Sequence, residues 1–236
     1  FRVIDSELWS DESAFAASIA DFGITGICGS GIIEAVAEMF LSGVLSEDGV
    51  IDGTVSEKSA RVFEDGRTWS FMLDEGEQKI IVTQNDVRQI QLAKAALYAG
   101  VKLLLDREGV DKVDRIRLAG AFGSHIDIKY AMVLGLIPDC ELAAVSSAGN
   151  AAGTGARIAL LDRSARVEIE ALVKEIAKIE TAIEPKFQGY FVDAMAFPNK
   201  QDDFPNLFAQ VSRPAVKASS ANRSGRRSRR RSRPTT

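Results

Sequence analysis

Three clusters of glycine and small polar residues are the parts of this sequence best suited to chemistry. They are residues 26–31 (Gly-Ile-Cys-Gly-Ser-Gly), 120–123 (Gly-Ala-Phe-Gly) and 149–155 (Gly-Asn-Ala-Ala-Gly-Thr-Gly). Each precedes a run with helical periodicity. Glycine at such a turn allows positive φ and a close approach of a ligand to the backbone, and the first turn of a helix offers free N–H groups that favour an anion. Together the clusters predict one composite nucleotide pocket.

Each cluster taken alone has a plainer interpretation. A single Gly-x-x-Gly sequence is more often an ordinary turn than a binding site, and residues 28–31 are equally well explained by a helix entry packed against a sheet. The only histidine, His125, lies beside the second cluster, but we identify no Ser, Cys or carboxylate partner that would make it a base. The sequence therefore predicts a binding site and identifies no catalytic residue.

Composition favours a globular domain without a metal site of its own. The chain has 236 residues, of which 46% are hydrophobic, and this suffices for one domain or two small lobes. Cys28 and Cys140 are too few for a disulfide framework, a zinc site or an iron–sulfur site. A reduced, cytoplasmic setting fits best, and no apolar run is long enough to cross a bilayer. The chain begins in mid-pattern without an initiator Met or a signal peptide, so we expect a fragment.

The charge is divided between an acidic body and a basic tail. From Arg213 onward the chain has nine Lys and Arg residues and no acid, and removing these from the formal net charge of −4 leaves about −13 on residues 1–212. An acidic body does not attract nucleic acid through its surface field, so nucleic-acid binding is expected only through the tail. Residues 219–236 are rich in Ser and Arg and are predicted to be disordered, and we favour an extension without a selected role.

Alternating strand and helix periodicities predict an α/β fold with a mixed sheet flanked by helices. Residues 45–67 are predicted to be hairpins or a surface loop. The predicted strands are residues 69–73, 79–83, 116–119 and 142–146. The predicted helices begin near Ser30, Asp86, Asp127 and Ala156, and one more spans residues 165–180.

Two of these helices have a clear predicted core face. In the helix from Asp86 the inward side chains are Val87, Ile90, Ala93, Leu97, Val101 and Leu104. Its solvated face is predicted to carry Arg88, Gln91, Lys94 and Lys102. In the helix at residues 165–180 the inward side chains are Val167, Ile169, Leu172, Val173, Ile176 and Ile179.

Five phrases together resemble one family, the reductive activators of corrinoid enzymes. They are residues 24–35, 90–96, 118–127, 149–156 and 191–198. The resemblance runs from about residue 23 to residue 198. It implies an ATP-dependent protein with an N-terminal ferredoxin-like [2Fe–2S] domain and a C-terminal actin-like ATPase domain. That domain has the ribonuclease H-like fold of the sugar kinase, heat-shock chaperone and actin (ASKHA) superfamily. Such activators return the cobalt(II) state of a corrinoid protein to cobalt(I).

The resemblance also implies roles for individual residues. The adenosine motif is matched by Gly120, Ala121, Phe122 and Gly123. The loop and helix start that face the nucleotide across the cleft are matched by Gly29, Ser30 and Gly31. The second connecting helix, which serves interdomain packing, is matched by Gly149, Asn150, Gly153 and Gly155.

The sequence departs from the family pattern in three ways, one of which is that the Arg-rich tail past Asn199 has no counterpart there. The two phosphate-binding turns of the Asp-x-Gly-Thr kind and the iron–sulfur cysteines do not occur in it. The resemblance therefore implies a partial domain. Residues 1–22 would end a preceding lobe, residues 23–199 would form the later part of the ATPase domain, and residues 200–236 would be the disordered tail. ATP with Mg²⁺ would bind in the full-length context, and a [2Fe–2S] cluster would lie in a missing N-terminal domain. The expected partner is a corrinoid protein, no membrane is expected, and a homodimer is left open.

Two other functions remain open from the sequence. The chain could be a fragment of a small-molecule or acyl kinase of the same superfamily, because fold alone does not separate these activities. It could instead be a non-enzymatic interaction module whose tail contacts nucleic acid or acidic surfaces. A four-cysteine motif upstream would favour the activator, and a substrate-binding insertion would favour the kinase. Salt-sensitive binding that is lost on cleavage near Ser212 would favour the interaction module.

Overall fold

A computed structural model describes residues 1–76 and 78–214, which form the predicted α/β fold. The parallel and antiparallel strand pairs of these residues lie in two separate sheets. The antiparallel sheet contains β1 (Val62–Asp65), β2 (Thr68–Asp74) and β3 (Ile80–Thr83), and the parallel sheet contains β4 (Ile116–Ala119) and β5 (Val145–Gly149). The helices are α1 (Phe15–Ser18), α2 (Gly29–Leu41), α3 (Gln84–Glu108), α4 (Ala121–His125), α5 (Ile128–Val133), α6 (Ala151–Leu161), α7 (Arg163–Glu175), α8 (Phe187–Asp193) and α9 (Pro205–Phe208).

The long helix α3 begins and ends where its local sequence dictates. Its first turn is a capping box, in which the Asp86 N–H donates to Thr83 Oγ1 at 3.1 Å and the Thr83 N–H donates to the Asp86 carboxylate at 2.9 Å. Gly109 ends the helix in the left-handed region with φ 66°. The predicted start near Asp86 is therefore confirmed.

The parallel pair β4–β5 brings two glycine clusters to one edge. Ile116 pairs with Val145 and Leu118 with Ser147, and after a shift in register Ala119 pairs with Gly149, so the two strands end side by side. The carboxyl ends of parallel strands meet at the same edge of a sheet, and this is where α/β folds bind ligands. Helix α4 follows β4 and helix α6 follows β5 at this edge.

One core joins α2, α3, α5 and the C-terminal segment. Its largest fully buried apolar side chains include residues from each of these parts. They include Val36, Phe40, Val87, Met132, Leu134, Phe197, Phe204 and Leu207.

The predicted core face of α3 is confirmed at Val87, which is fully buried, but further along the helix the buried face is rotated about the helix axis. Leu97 and Leu104 are more than half exposed, whereas Gln91 and Lys94, predicted to face solvent, are 2% and 1% exposed. Hydrophobic periodicity could not predict the buried face, because it contains polar side chains. Hydrogen bonds to segments distant in sequence offset the cost of burying them. Tyr98 also belongs to the buried face.

The helices after β5 also differ from their predictions. Helix α6 begins at Ala151 rather than near Ala156, so Gly153 and Gly155 lie inside it. Helix α7 ends at Glu175, and five of the six apolar side chains predicted to point inward are exposed, whereas Ile179, beyond the end of the helix, is half-buried. The exposed fractions of the five are 66% for Val167, 40% for Ile169, 61% for Leu172, 60% for Val173 and 68% for Ile176.

Of two predictions about strands, one is confirmed and the other differs at its start. Residues 45–67 were predicted to be hairpins or a surface loop, and strand β1 within them is the first strand of an antiparallel hairpin. It pairs with β2, and Val62 is buried, so its partner stabilises it more than its own pattern does. The predicted strand at residues 142–146 begins later. Leu142–Ala144 is a short 3-10 helix, and β5 starts at Val145.

The predicted start of the disordered tail at residue 200 is too early. Helix α9 lies beyond it, Phe204 is 1% exposed and Leu207 is fully buried. The carboxylate of Asp139 caps α9 by accepting hydrogen bonds from the N–H groups of Asn206 and Leu207, both at 3.0 Å. Residues 215–236, which include the Ser/Arg-rich stretch, lie outside the described residues.

Among the helices that the structure describes, none is both long enough and apolar enough to span a bilayer.

Candidate nucleotide-binding site

The turn at Gly120 has the backbone geometry that only glycine readily adopts. It joins β4 to α4 with φ 96° and ψ 172°. A Cβ at Gly120 would have no atom within 4 Å, so the space beside the turn is open. The glycine is therefore required by its positive φ rather than by crowding from the protein, and a ligand can reach the backbone there.

The third glycine cluster touches this turn directly. The Gly120 N–H donates to the Gly149 carbonyl oxygen at 2.8 Å. Ser124 Oγ donates to the Gly120 carbonyl oxygen at 2.9 Å and lies 3.4 Å from Ser147 Oγ. The ends of β4 and β5 and the first turn of α4 thus form one hydrogen-bonded unit.

The first glycine cluster meets the same unit from the side of α2. A Cβ at Gly29 would lie 3.7 Å from the ring of Phe122, which is an ordinary packing distance. That ring is 51% exposed at the junction of α2 and α4. An exposed aromatic face beside open glycine backbone suits a flat heteroaromatic ligand.

The start of α2 is capped by a sulfur atom. Cys28 Sγ accepts a hydrogen bond from the Gly31 N–H at 3.3 Å and lies 3.4 Å from Ser30 Oγ. The hydrogen bond with Ser30 is the main cause that lowers the pKa of the Cys28 thiol. One turn further along, burial followed by repulsion from Asp127 raises the pKa of the Glu34 carboxyl.

Two of the predicted site residues have a clear structural reason for their type. A Cβ at Gly123 would lie 3.0 Å from the Leu118 Cβ and 3.1 Å from its carbonyl carbon, so this glycine allows α4 to pack on β4. Asn150 caps α6, because its side-chain oxygen accepts a hydrogen bond from the Gly153 N–H at 2.8 Å. Ala121, by contrast, is exposed at the start of α4.

All three predicted clusters are adjacent in the fold, and their role in nucleotide binding stays a prediction. Sequence reasoning missed Ser124 and Ser147, whose hydroxyls join the second and third clusters. Serine residues near the end of a strand do not by themselves predict a site, because the contact between Ser124 and Ser147 depends on the pairing of β4 with β5. Within the described residues no group of three or more His, Cys, Asp or Glu side chains could hold a metal ion.

Comparison with known proteins shows the family to which the chain belongs. The family described as the C-terminal domain of RACo, the ASKHA domain, matches residues 2–208, so the chain belongs to this family. The corrinoid activation enzyme RamQ of Eubacterium limosum is 37% identical over 183 residues, which cover 72% of this chain and 31% of RamQ.

A solved structure gives the same relationship in three dimensions. A reductive activator for corrinoid, iron–sulfur protein superposes with a TM-score of 0.65 at 33% sequence identity. The superposition covers 74% of this chain and 28% of that protein. The chain thus spans less than a third of the length of each of these two relatives.

Proposed function

We propose that this chain forms the adenosine-binding side of an ATP pocket in a reductive activator that restores cobalt(I) in a corrinoid protein. Membership of the RACo C-terminal family supports the proposal, as do relatives that are themselves corrinoid activators. The observation that carries it is the convergence of the three glycine clusters. Gly120 N–H bonds Gly149, and Gly29 lies against the exposed ring of Phe122.

The residues present fit the nucleoside end of ATP. Phe122 offers an aromatic face for the base, and the open Gly120 turn allows the nucleoside to approach the backbone. Helix α2 begins at Gly29, next to the ring of Phe122, and the start of a helix favours negative charge. The chain binds and orients in this proposal, and phosphate and Mg²⁺ contacts come from turns that this sequence does not contain.

The residues present do not fit a [2Fe–2S] cluster. Four thiolates hold such a cluster, and this chain has two cysteines, of which Cys28 is exposed and Cys140 is buried. Electrons for cobalt reduction therefore come from another domain in this proposal. The corrinoid part of the proposal would be tested in a longer family member that carries the iron–sulfur domain. In that protein, replacing the residue equivalent to Phe122 by Ala should slow the ATP-dependent appearance of the cobalt(I) absorption band.

Calorimetric titration of the 236-residue chain with ADP tests the nucleotide part. Phe122→Ala should weaken binding about 5- to 150-fold, since loss of base stacking on an aromatic ring costs about 1–3 kcal/mol. Leu104→Ala is the matched control, because Leu104 is 56% exposed on α3 and lies outside the proposed site. An equal affinity of wild type and Phe122→Ala, or no binding by wild type, would contradict the proposal.

A further inference from the structure

Lys94 is a buried lysine that the proposed nucleotide site does not use. Its Nζ donates hydrogen bonds to the carbonyl oxygens of Ala196 at 2.5 Å and Pro198 at 2.6 Å. The ring of Phe197, between these two residues, has its centroid 5.4 Å from Nζ. A cation is costly to bury unless its donors are used, so Lys94 holds the turn at residues 196–198 firmly.

Gln91, one turn earlier on α3, extends the same arrangement. Its Nε2 donates to the carbonyl oxygens of Asp48 at 3.0 Å and Met195 at 2.8 Å. The two side chains therefore hold four backbone carbonyls from segments that flank α2 and α8. Residues 90–96 and 191–198, two of the phrases shared with the family, contact each other here.

The turn held by Lys94 also touches the end of α5. Gly135 follows this helix with φ 71°, and a Cβ there would overlap the Pro198 carbonyl and lie 3.2 Å from Lys94 Nζ. Only glycine allows the turn to come this close. The position of the C-terminal end of α5 is thus fixed by the turn at residues 196–198.

Helix α5 links this contact to the glycine clusters at its other end. Only Ile126 and Asp127 separate it from α4, and the Asp127 carboxylate caps it by accepting from the Tyr130 N–H at 3.2 Å. The Tyr130 hydroxyl hydrogen bonds to Glu38 on α2. A helix of six residues is about 9 Å long, so a displacement at Gly135 moves the end beside α4 and α2 as well.

We propose that Lys94 is a positioning residue for the Gly120 turn, acting through the turn at residues 196–198 and helix α5. Lys94 holds the turn, the turn contacts Gly135, and α5 carries α4 into place against α2. The consequence for nucleotide affinity rests on the proposed function; the consequence for the order of the Gly120 turn does not. The alternative is that Lys94 merely stabilises the fold.

A matched pair of glycine variants separates these alternatives. Gly135→Ala introduces a Cβ that pushes on Pro198, whereas Gly109→Ala introduces one at the end of α3 with φ 66° and no atom within 4 Å. Both replace a left-handed glycine at a helix end, so both cost backbone strain. Lys94→Met removes the donors, and Val62→Ala, a core truncation in β1, serves as its stability control.

Hydrogen exchange of the amides of residues 121–126 is measured for all four variants in the full chain. Gly135→Ala and Lys94→Met should speed exchange about tenfold, within the range of coupling between distant sites. Gly109→Ala and Val62→Ala should leave it within about twofold after correction for global stability. Unchanged exchange in Gly135→Ala and Lys94→Met would overturn the proposal and leave Lys94 a stabilising residue only. If one of these variants does not fold, the other decides.

Titration with ADP adds the functional readout. Gly135→Ala and Lys94→Met should raise the Kd about tenfold, and the two controls should match wild type. No binding by wild type would contradict the proposed function while the exchange result still decides the positioning role. Normal Kd values in both test variants would overturn the positioning role of Lys94 in binding.

Discussion

At the residue scale, Lys94 carries an ionisable group into a site that is 1% exposed. Burial lowers its pKa from 10.5 to about 7. The neutral amine keeps two N–H donors, so both the Ala196 and the Pro198 carbonyl remain hydrogen bonded after deprotonation. Deprotonation of Lys94 therefore leaves these hydrogen bonds in place and changes mainly the free energy of unfolding.

This pKa predicts a pH-dependent stability. Because the folded pKa of Lys94 lies below the unfolded value of 10.5, the unfolded chain binds more protons between about pH 7 and pH 10.5. The free energy of unfolding should rise with pH across this window, by at most about 1.4 kcal/mol per unit.

Urea titrations between about pH 7 and pH 9 measure this effect. The stability difference between wild type and Lys94→Met should change in favour of wild type as the pH rises, since only wild type carries the buried group. A difference that stays constant with pH would contradict the assignment.

The close packing around Gly123 predicts that a larger side chain there destabilises the fold, whereas a glycine that only contacts a ligand would affect binding. Its Cβ position lies 3.0 Å from Leu118 Cβ, so Gly123→Val should lower the free energy of unfolding by about 1–3 kcal/mol through overpacking. Gly100→Val is the control for a glycine with open surroundings and no positive φ. Urea unfolding compares the two, and a smaller loss for Gly123→Val than for Gly100→Val would contradict this account.

At the element scale, α7 has an apolar stripe but buries none of it. Amphipathic periodicity shows that a helix can cover a core, and tertiary contacts decide whether it does. The C-terminal segment around α9 shows the reverse, since its weak pattern contains Phe204 and Leu207, both buried.

A pair of leucines tests this contrast. Leu172 on α7 is 61% exposed, whereas Leu207 on α9 is fully buried. Leu172→Gln should change the free energy of unfolding by less than about 0.5 kcal/mol, and Leu207→Gln should lower it by about 3 kcal/mol or more. Equal losses in urea denaturation would mean that α7 is buried in solution.

Truncation tests the C-terminal boundary. Ending the chain after Asn199 removes Phe204, Leu207 and the Asp202 carboxylate, which accepts hydrogen bonds from Tyr98 at 2.9 Å and Lys102 at 3.1 Å. The loss should be about 3–6 kcal/mol from the two apolar side chains alone. Ending after residue 214 is the matched control and should leave the urea midpoint unchanged. Equal urea midpoints for the two truncated chains would mean that the tail begins at residue 200, as the sequence predicted.

At the scale of the whole molecule, the proposed function makes the chain one wall of a nucleotide pocket. Adenosine contacts bind ground state and transition state alike, so they give affinity without rate. Alignment of water, metal and γ-phosphate supplies the acceleration, and the turns of the Asp-x-Gly-Thr kind that provide it in the family do not occur in this sequence.

The chain by itself should therefore release no phosphate from ATP, and it should bind ADP and ATP with similar, weak affinity. A magnesium-dependent phosphate-release assay on the purified chain checks this, beside a longer family member that contains those turns. Robust release by the chain alone would mean that residues 26–31 hold the phosphates.

The sequence by itself determined the features that depend on neighbouring residues. The capping box at Thr83 and Asp86, the glycine stop at Gly109 and the strand–glycine–helix turn at Gly120 were all predictable, because each is fixed by dihedral preference and local hydrogen bonding. The α/β class followed from the alternation of these local signals.

Only the tertiary structure decided which side chains are buried and which clusters meet. Gln91 and Lys94 are buried because carbonyls about a hundred residues away accept their hydrogen bonds. Phe122 meets Gly29 only once α2 packs beside α4. Such contacts depend on where distant segments of the chain lie relative to one another. The hydrophobic periodicity of a single segment carries no information about this.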